Sequence, residues 1–269
     1  MDLSSAYSLL QRDRQQPMYD RKVHRLFARL FAENFSEIED LRGKFIAAFH
    51  AWLLGSRLNK ISGLDAFPDR DAIVGVTQFI DDLYQTRPGK IVVLANEYRY
   101  HQRLDPSLRP RSLETLAPGE ELILSMPFPY LGDIHPDTNA ILNRCAQLGI
   151  PVHIDSCWLG CSRDIDFNYD HPAIASAGFS LSKSLGLGAN RIGVRYARKR
   201  WIGPVSILND FNMTIHSLLW IGLRFMEELG PDFWQNKYGA LYQEICAKLS
   251  LVPTKAIHLA RDRRDVGSM

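Results

Sequence analysis

Long apolar runs are missing from this 269-residue sequence, and none reaches the roughly 20 residues that a membrane-spanning helix requires. No membrane partner is expected. Charge of one sign is missing too. The 32 basic and 30 acidic side chains leave a formal net charge of +2, with no global pull toward nucleic acid or a lipid surface. Cysteine is scarce: Cys145, Cys157, Cys161 and Cys246 are the four. Three residues separate Cys157 from Cys161, and no paired Cys or His motif follows at zinc-ligand spacing, so no metal is expected. Reduced, buried thiols are the expectation, and a regulatory disulfide is the alternative. Residues 1–14 lack the basic-then-apolar layout of a secretory leader, which points to the cytoplasm. There is no internal repeat and no low-complexity tract. What is present is a 46% apolar, 23% charged chain, long enough for one large domain or a core domain with a small appendage.

The first third reads as helical. Val23, Leu26, Phe27, Leu30 and Phe31 repeat at the spacing of one buried helix face. Ser36 with Glu39 has the form of a capping box opening a second helix through Ile38, Leu41, Phe45, Phe49 and Trp52, stopped by Gly55. Gly63, Pro68 and Asp71 mark a loop. Beyond about residue 73, short apolar runs alternate with helical patterns. Gly75 opens a helix that ends at Pro88-Gly89, and Pro136 stands at the first position of another that ends at Gly149. Strands are expected at 90–95, 121–126, 150–155, 174–180 and 191–197. After Pro204 a single long helix is expected from Ile207 to Leu229. A further helix, capped by Asp232 with Gln235, runs to about Leu249. Such alternation predicts an α/β domain whose sheet is mainly parallel, with ligands bound beyond the carboxyl ends of the strands.

The segment Ser180-Leu-Ser-Lys183-Ser-Leu-Gly186-Leu-Gly188-Ala-Asn-Arg191-Ile-Gly193 carries the most chemistry. A lysine becomes a nucleophile only in a niche that takes its proton away. A guanidinium grips phosphate with paired hydrogen bonds, and glycines let backbone approach a ligand. This run resembles the cofactor-lysine segment of class I/II aminotransferases, members of the fold-type I pyridoxal-phosphate (PLP) enzymes. The resemblance implies that Lys183 forms a Schiff base with the cofactor aldehyde. It also implies that Ser180, three residues earlier, and Arg191, eight later, bind the phosphate, with Ser182 beside them.

Two further blocks fall in the family's order. His153-Ile-Asp155-Ser-Cys-Trp158 resembles the strand whose terminal aspartate pairs with the cofactor's ring nitrogen. This assigns that role to Asp155 and puts Trp158 at the ring. Upstream, Ile73-Val-Gly75-Val76-Thr77 is similar to the turn and helix start that cradle the phosphate, a task suited to free backbone N–H groups and the helix dipole. After the strand at 90–95 comes Tyr98, the candidate for stacking on the ring, and His101, a candidate contact behind Asp155. The resemblance covers roughly residues 70–200.

The sequence departs from the family in three places. Trp158 stands where relatives have a tyrosine bonded to the cofactor's ring oxygen. Phe128 falls where they have an asparagine, and it has no donor. The segment after Lys183 is short against the family's C-terminal domain, so the arginine that clamps a substrate carboxylate has no clear counterpart. Arg261, Arg263 and Arg264 are the available candidates, with surface charges as the alternative. Arg195, Arg198, Lys199 and Arg200 read as a solvated basic face.

The expectation is therefore an α/β, PLP-dependent transferase-like large domain with a mainly parallel sheet flanked by helices and a reduced C-terminal small domain. Residues 1–70 are expected to form an N-terminal helical segment and candidate dimer contact, 71–205 the PLP-binding core, and 206–269 the C-terminal helices. The implied function is an aminotransferase-like enzyme acting on an amino acid or primary amine, as a homodimer, with no nucleic-acid partner. A PLP-dependent lyase, decarboxylase or condensing enzyme, and a non-catalytic binding protein of the same fold, are the alternatives.

Overall fold

The structure, a computed structural model, describes residues 20–30, 33 and 39–263. Two helices open it, α1 (Arg21–Leu30) and α2 (Leu41–Leu54). The alternating region follows as β1 (Lys60–Ser62), β2 (Asp69–Ile73), α3 (Gly75–Thr86), β3 (Ile91–Val93), α4 (Tyr100–Leu104), β4 (Glu121–Ser125), α5 (Thr138–Leu148), β5 (Val152–Asp155), β6 (Asp166–Asn168), β7 (Ile174–Ser180), α6 (Leu181–Ser184) and β8 (Gly193–Ala197). Three helices, α7 (Pro204–Asp210), α8 (His216–Glu228) and α9 (Phe233–Lys248), lead to the strands β9 (Leu251–Pro253) and β10 (Ala260–Asp262). Among the described residues no helix is long and apolar enough to cross a membrane.

Six strands form the central sheet in the order β2-β8-β7-β5-β4-β3. The pairings β7·β5, β5·β4 and β4·β3 are parallel, while β8 is antiparallel to both β7 and β2. One strand thus runs against the other five, and the mainly parallel sheet expected from the sequence is present. Strand alternation sends residues to two faces. Ile73, Ile91, Val93 and Ile123 pack with Val76, Phe79, Ile80 and Leu83 of α3. Val92, Leu122, Leu124, Val152 and Ile154 join the larger core with Phe45 and Phe49 of α2, Leu142 of α5 and Phe225 of α8. Helices therefore cover both faces of the sheet, as parallel strands require.

Several elements differ from the sequence expectation. The helix predicted from Ser36 begins at Leu41, where the Asp40 carboxylate accepts the Gly43 N–H at 3.1 Å; Ser36, Ile38 and Phe31 lie outside the described residues. Pro136 precedes α5 rather than opening it, and Asp137 holds the cap position. The loop assigned around Asp71 is in fact β2. Its two aspartates hid the strand, but Asp71 faces inward because a buried cation answers it. The single helix predicted over Ile207–Leu229 is two, broken where Asn212 takes a left-handed backbone (φ 51°). Just before the break, Asn209 ties α7 to the β2 edge by accepting the Ala72 N–H at 2.9 Å and donating to the Ala72 carbonyl at 2.8 Å. Asp232 sits at the α9 cap position, yet its carboxylate accepts from the Ser56 hydroxyl and the Arg57 N–H, so it tethers α9 to the end of α2. Gln235, paired with it in the expectation, donates to the Cys161 and Lys255 carbonyls.

The basic face also needs correction. Arg195 has no exposed surface. Its guanidinium pairs with Asp71 and, at 2.9 Å, with Asp82 of α3, and it stacks 4.2 Å from the Trp201 ring centroid. Successive residues of a strand face opposite sides, so Val194 and Tyr196 join the larger core while Arg195 faces α3 on the other side of the covered sheet. Removing this cation strands two buried carboxylates. We expect Arg195→Met to lower unfolding free energy by about 3–5 kcal/mol in a urea titration. A loss under about 1 kcal/mol would show that the knot is not a fastening of the fold.

Candidate functional site

Strand register brings the sequence candidates to one rim. Ser125 is level with Asp155, Asp155 with Gly178, Ser180 with Gly193, and Gly193 with Ile73. The carboxyl ends of β2, β4, β5 and β7 therefore finish together. The reversed strand β8 begins at this edge, so Arg191, two residues before Gly193, lies at it as well. Gly75, two residues after Ile73, starts α3 there.

Lys183 stands in α6, the short turn after β7, where the Ser180 hydroxyl caps by accepting the Ser182 N–H at 3.1 Å. The Ser180 hydroxyl also lies 3.0 Å from the Ser182 hydroxyl, so both predicted serines are neighbours. The Lys183 ammonium donates to the Cys157 thiol at 3.3 Å and lies 4.0 Å from the Trp158 ring centroid. Burial pulls its pKa down, but the facing thiol and carboxylate groups outweigh this and hold it above the ordinary lysine value. Burial pushes the Cys157 thiol well up, so it is neutral at physiological pH. The charge that answers the ammonium is that of Asp155, itself pushed up by burial against the pull of the Cys157 N–H, Lys183 and Arg191. Asp155 accepts the Cys157 N–H at 2.9 Å.

On the far side, Arg191 donates to the Thr77 hydroxyl at 2.8 Å and reaches toward the Val74 carbonyl at 3.5 Å. Gly75 takes a left-handed backbone (φ 70°), and a Cβ there would lie 2.8 Å from the Arg191 guanidinium. Glycine thus leaves the helix N-terminus open to the arginine. The free N–H groups of α3, Arg191, and the Ser180 and Ser182 hydroxyls border one region, a donor set that suits an anion such as phosphate. Val76 contributes only its backbone, because its side chain is buried in the core.

The upstream candidates divide. Tyr98 is 42% exposed, its ring stacked on Tyr100 with centroids 5.8 Å apart. His101 does not bond Asp155: its Nδ1 faces the Tyr84 hydroxyl at 3.2 Å, its Nε2 has no hydrogen-bond partner among the described residues, and burial pushes its pKa down to about 4. The turn after β3 aims this ring at α3. Phe128 is buried edge-on against His135 and offers no donor, as expected. Among the C-terminal arginines, Arg261 lies 5.7 Å from the Tyr130 ring centroid, Arg263 is exposed, and Arg264 is outside the described residues.

One residue was missed. The buried Glu97 carboxylate accepts the Ser125 hydroxyl at 2.5 Å, the Ser125 N–H at 2.9 Å and the Tyr98 N–H at 2.8 Å. It fastens the turn after β3 to the end of β4. Burial pushes its pKa up to about 7, with the charge of Asp155 adding to the rise against those hydrogen bonds. The available signal was an acid directly following an apolar strand, beside the aromatic candidate.

No family model matches the sequence, and no curated protein matches it. Solved structures do match in fold. An aromatic aminotransferase from Pyrococcus horikoshii superposes with a TM-score of 0.63 at 12% identity, covering 95% of this chain and 80% of that one. A Thermus thermophilus aspartate aminotransferase double mutant gives 0.60 at 14%, covering 96% and 78%. An aromatic-amino-acid aminotransferase from Burkholderia pseudomallei, covalently bound to pyridoxal phosphate, gives 0.57 at 14%, covering 92% and 79%. The chain has the fold of these aminotransferases and spans about four fifths of their length.

Glu97 generates a prediction on stability. Its unfolded pKa is near the ordinary 4.5 and its folded value about 7, so between them the folded state holds the extra proton. Its contribution to stability is therefore greatest below about 4.5 and is lost as pH rises through about 7. Melting temperature should fall more steeply from pH 5 to 8 in the wild type than in Glu97→Gln. Parallel profiles would refute this protonation.

Proposed function

We propose that this chain, folded as an aminotransferase, is a PLP-dependent aminotransferase-like enzyme acting on an amino acid or another primary amine. The observation that carries the reading is the convergence on one rim of a buried lysine, a buried aspartate and an arginine set against an open helix N-terminus. The donor set fits the cofactor: Lys183 would hold it covalently and Asp155 would pair with its ring nitrogen. Ser180, Ser182, Arg191, Thr77 and the Val76 N–H would anchor the phosphate. Trp158 and Tyr98 would flank the ring. When bound, the cofactor supplies an electron sink for the substrate's Cα.

The chain's own groups then have defined tasks. In the cofactor-free chain Asp155 answers the Lys183 ammonium. With Asp155 engaged by a ring nitrogen, Lys183 would lose the carboxylate that favours its ammonium, and burial would favour its neutral amine. That amine takes the proton from the substrate's Cα and returns it. Arg191 and the α3 terminus fix the anionic end. Asp155 keeps the ring nitrogen protonated. Glu97 steadies Tyr98 through its backbone N–H. The reading includes a homodimer, as the sequence resemblance implies, and a cytoplasmic location.

The test is direct. Protein incubated with pyridoxal phosphate should show a visible absorbance band, and borohydride should then fix a cofactor mass on the peptide containing Lys183. Lys183→Ala should lose both, and Arg191→Ala should weaken cofactor affinity about tenfold or more, in keeping with loss of a charged hydrogen-bond partner. A colourless protein with no fixed mass defeats the proposal. If a substrate amine is consumed with no amino group appearing on a 2-oxo acid, the chain is instead a lyase or decarboxylase of the same fold.

A further inference from the structure

We propose that His258 is a substrate-contacting residue, with its imidazole receiving an acidic group of the substrate. This rests on the reading of Lys183 as the cofactor lysine.

The turn between β9 and β10 is fastened against the site. The Ala256 N–H donates to the Gly132 carbonyl at 3.2 Å, the Ile257 N–H to the Cys161 carbonyl at 3.1 Å, and the Arg163 N–H to the Lys255 carbonyl at 3.1 Å. Gln235 bridges the Cys161 and Lys255 carbonyls, each at 3.1 Å. The Thr254 hydroxyl closes the turn on the Ala256 and Leu259 carbonyls at 3.0 and 2.9 Å. Gly132 lets this turn approach, since a Cβ there would lie 2.4 Å from the Thr254 hydroxyl. Ala256 and Ile257 are buried anchors on either side of the bonds to the turn after Trp158.

His258 follows those anchors. Its ring meets Trp158 edge-on with centroids 5.6 Å apart, and Trp158 is the residue whose ring lies 4.0 Å from the Lys183 ammonium. Both His258 nitrogens are buried, and neither has a hydrogen-bond partner among the described residues. An unpaired buried polar group costs about 1–3 kcal/mol. A phenylalanine would pack on Trp158 without that cost, so the two open nitrogens mark a place for a ligand atom.

The chemistry of that ligand follows from the surroundings. Burial, reinforced by the positive charge of Lys183, pushes the His258 pKa down to about 4, so the ring is neutral and presents one N–H donor and one acceptor. A carboxylate takes that N–H as a charge-assisted hydrogen bond, the stronger kind. The turn's other cations are turned elsewhere: Lys255 pairs with Asp133 at 2.7 Å, and Arg261 lies over Tyr130.

The experiment uses the cofactor-loaded protein, with succinate as the probe and succinamide as its uncharged match. Calorimetry should give succinate binding about tenfold or more weaker in His258→Phe, with the visible cofactor band unchanged. His258→Gln, which keeps a donor, should fall between the two. Imidazole NMR on the wild type, with the His258 signal assigned by its loss in His258→Phe, should show that signal moved by succinate and not by succinamide. Equal succinate affinity in wild type and His258→Phe overturns the proposal and leaves water as the partner of the open nitrogens. Absence of succinate binding to the wild type also overturns it. A wild type that never acquires the cofactor band instead overturns the underlying reading of Lys183, which separates the two failures.

Discussion

Arg195 lies buried between two carboxylates drawn from different elements, and the candidate site depends on that arrangement. An ion removed from water survives only when its partners and hydrogen bonds replace hydration. Asp71 of β2 and Asp82 of α3 supply the partners. Asp82 also accepts the Trp201 indole N–H at 2.8 Å and the Val205 N–H at 3.0 Å, which draws in the start of α7. The knot fixes an edge strand, the reversed strand beside it and one helix against each other. Those same three elements carry Ile73-Val74-Gly75, Arg191 and Thr77. The corner where Arg191 meets Thr77 and Gly75 is thus set from inside the sheet, by a buried ion cluster.

The rest of the rim is an exercise in balancing buried charge. Lys183 and Arg191 act on Asp155, with Glu97 nearby, and burial disfavours the charged form of each acid. Glu97 answers this by holding a proton near neutrality and by bonding Ser125 and the Tyr98 N–H. Asp155 answers it by facing two cations. Lys183 stays protonated because the charge of Asp155 outweighs its own burial. The turn between β9 and β10 brings a neutral histidine, His258, against Trp158 in the same region without adding another buried ion.

Much of this was legible in one dimension because it is local. The strands at 121–125, 152–155 and 174–180 are short buried runs, and the helix after Gly75 has a clean apolar stripe. Features that depend on distant partners were not legible. Asp71 read as part of a loop because aspartate usually marks one, and the strand exists because Arg195, 124 residues away, donates to Asp71 in the core. Arg195 read as a surface charge for the same reason in reverse. The break at Asn212 was hidden in an apolar stretch because composition does not reveal that Asn209 bonds the backbone of β2. His101 was misdirected because a residue's position after a strand does not give the direction of its side chain.

The sequence alone determined the identities and spacing of Lys183, Ser180, Arg191 and Asp155, and the alternating pattern that puts strand ends on one side of a sheet. Spacing of that kind is local chemistry, fixed by a few consecutive residues. Tertiary structure alone decided which buried charges are answered, that Glu97 belongs to the site, and that the turn between β9 and β10 brings His258 to Trp158. Those outcomes depend on pairings between residues far apart in the chain. A pairing energy exists only once the sheet has set its register and burial has removed water from the groups concerned.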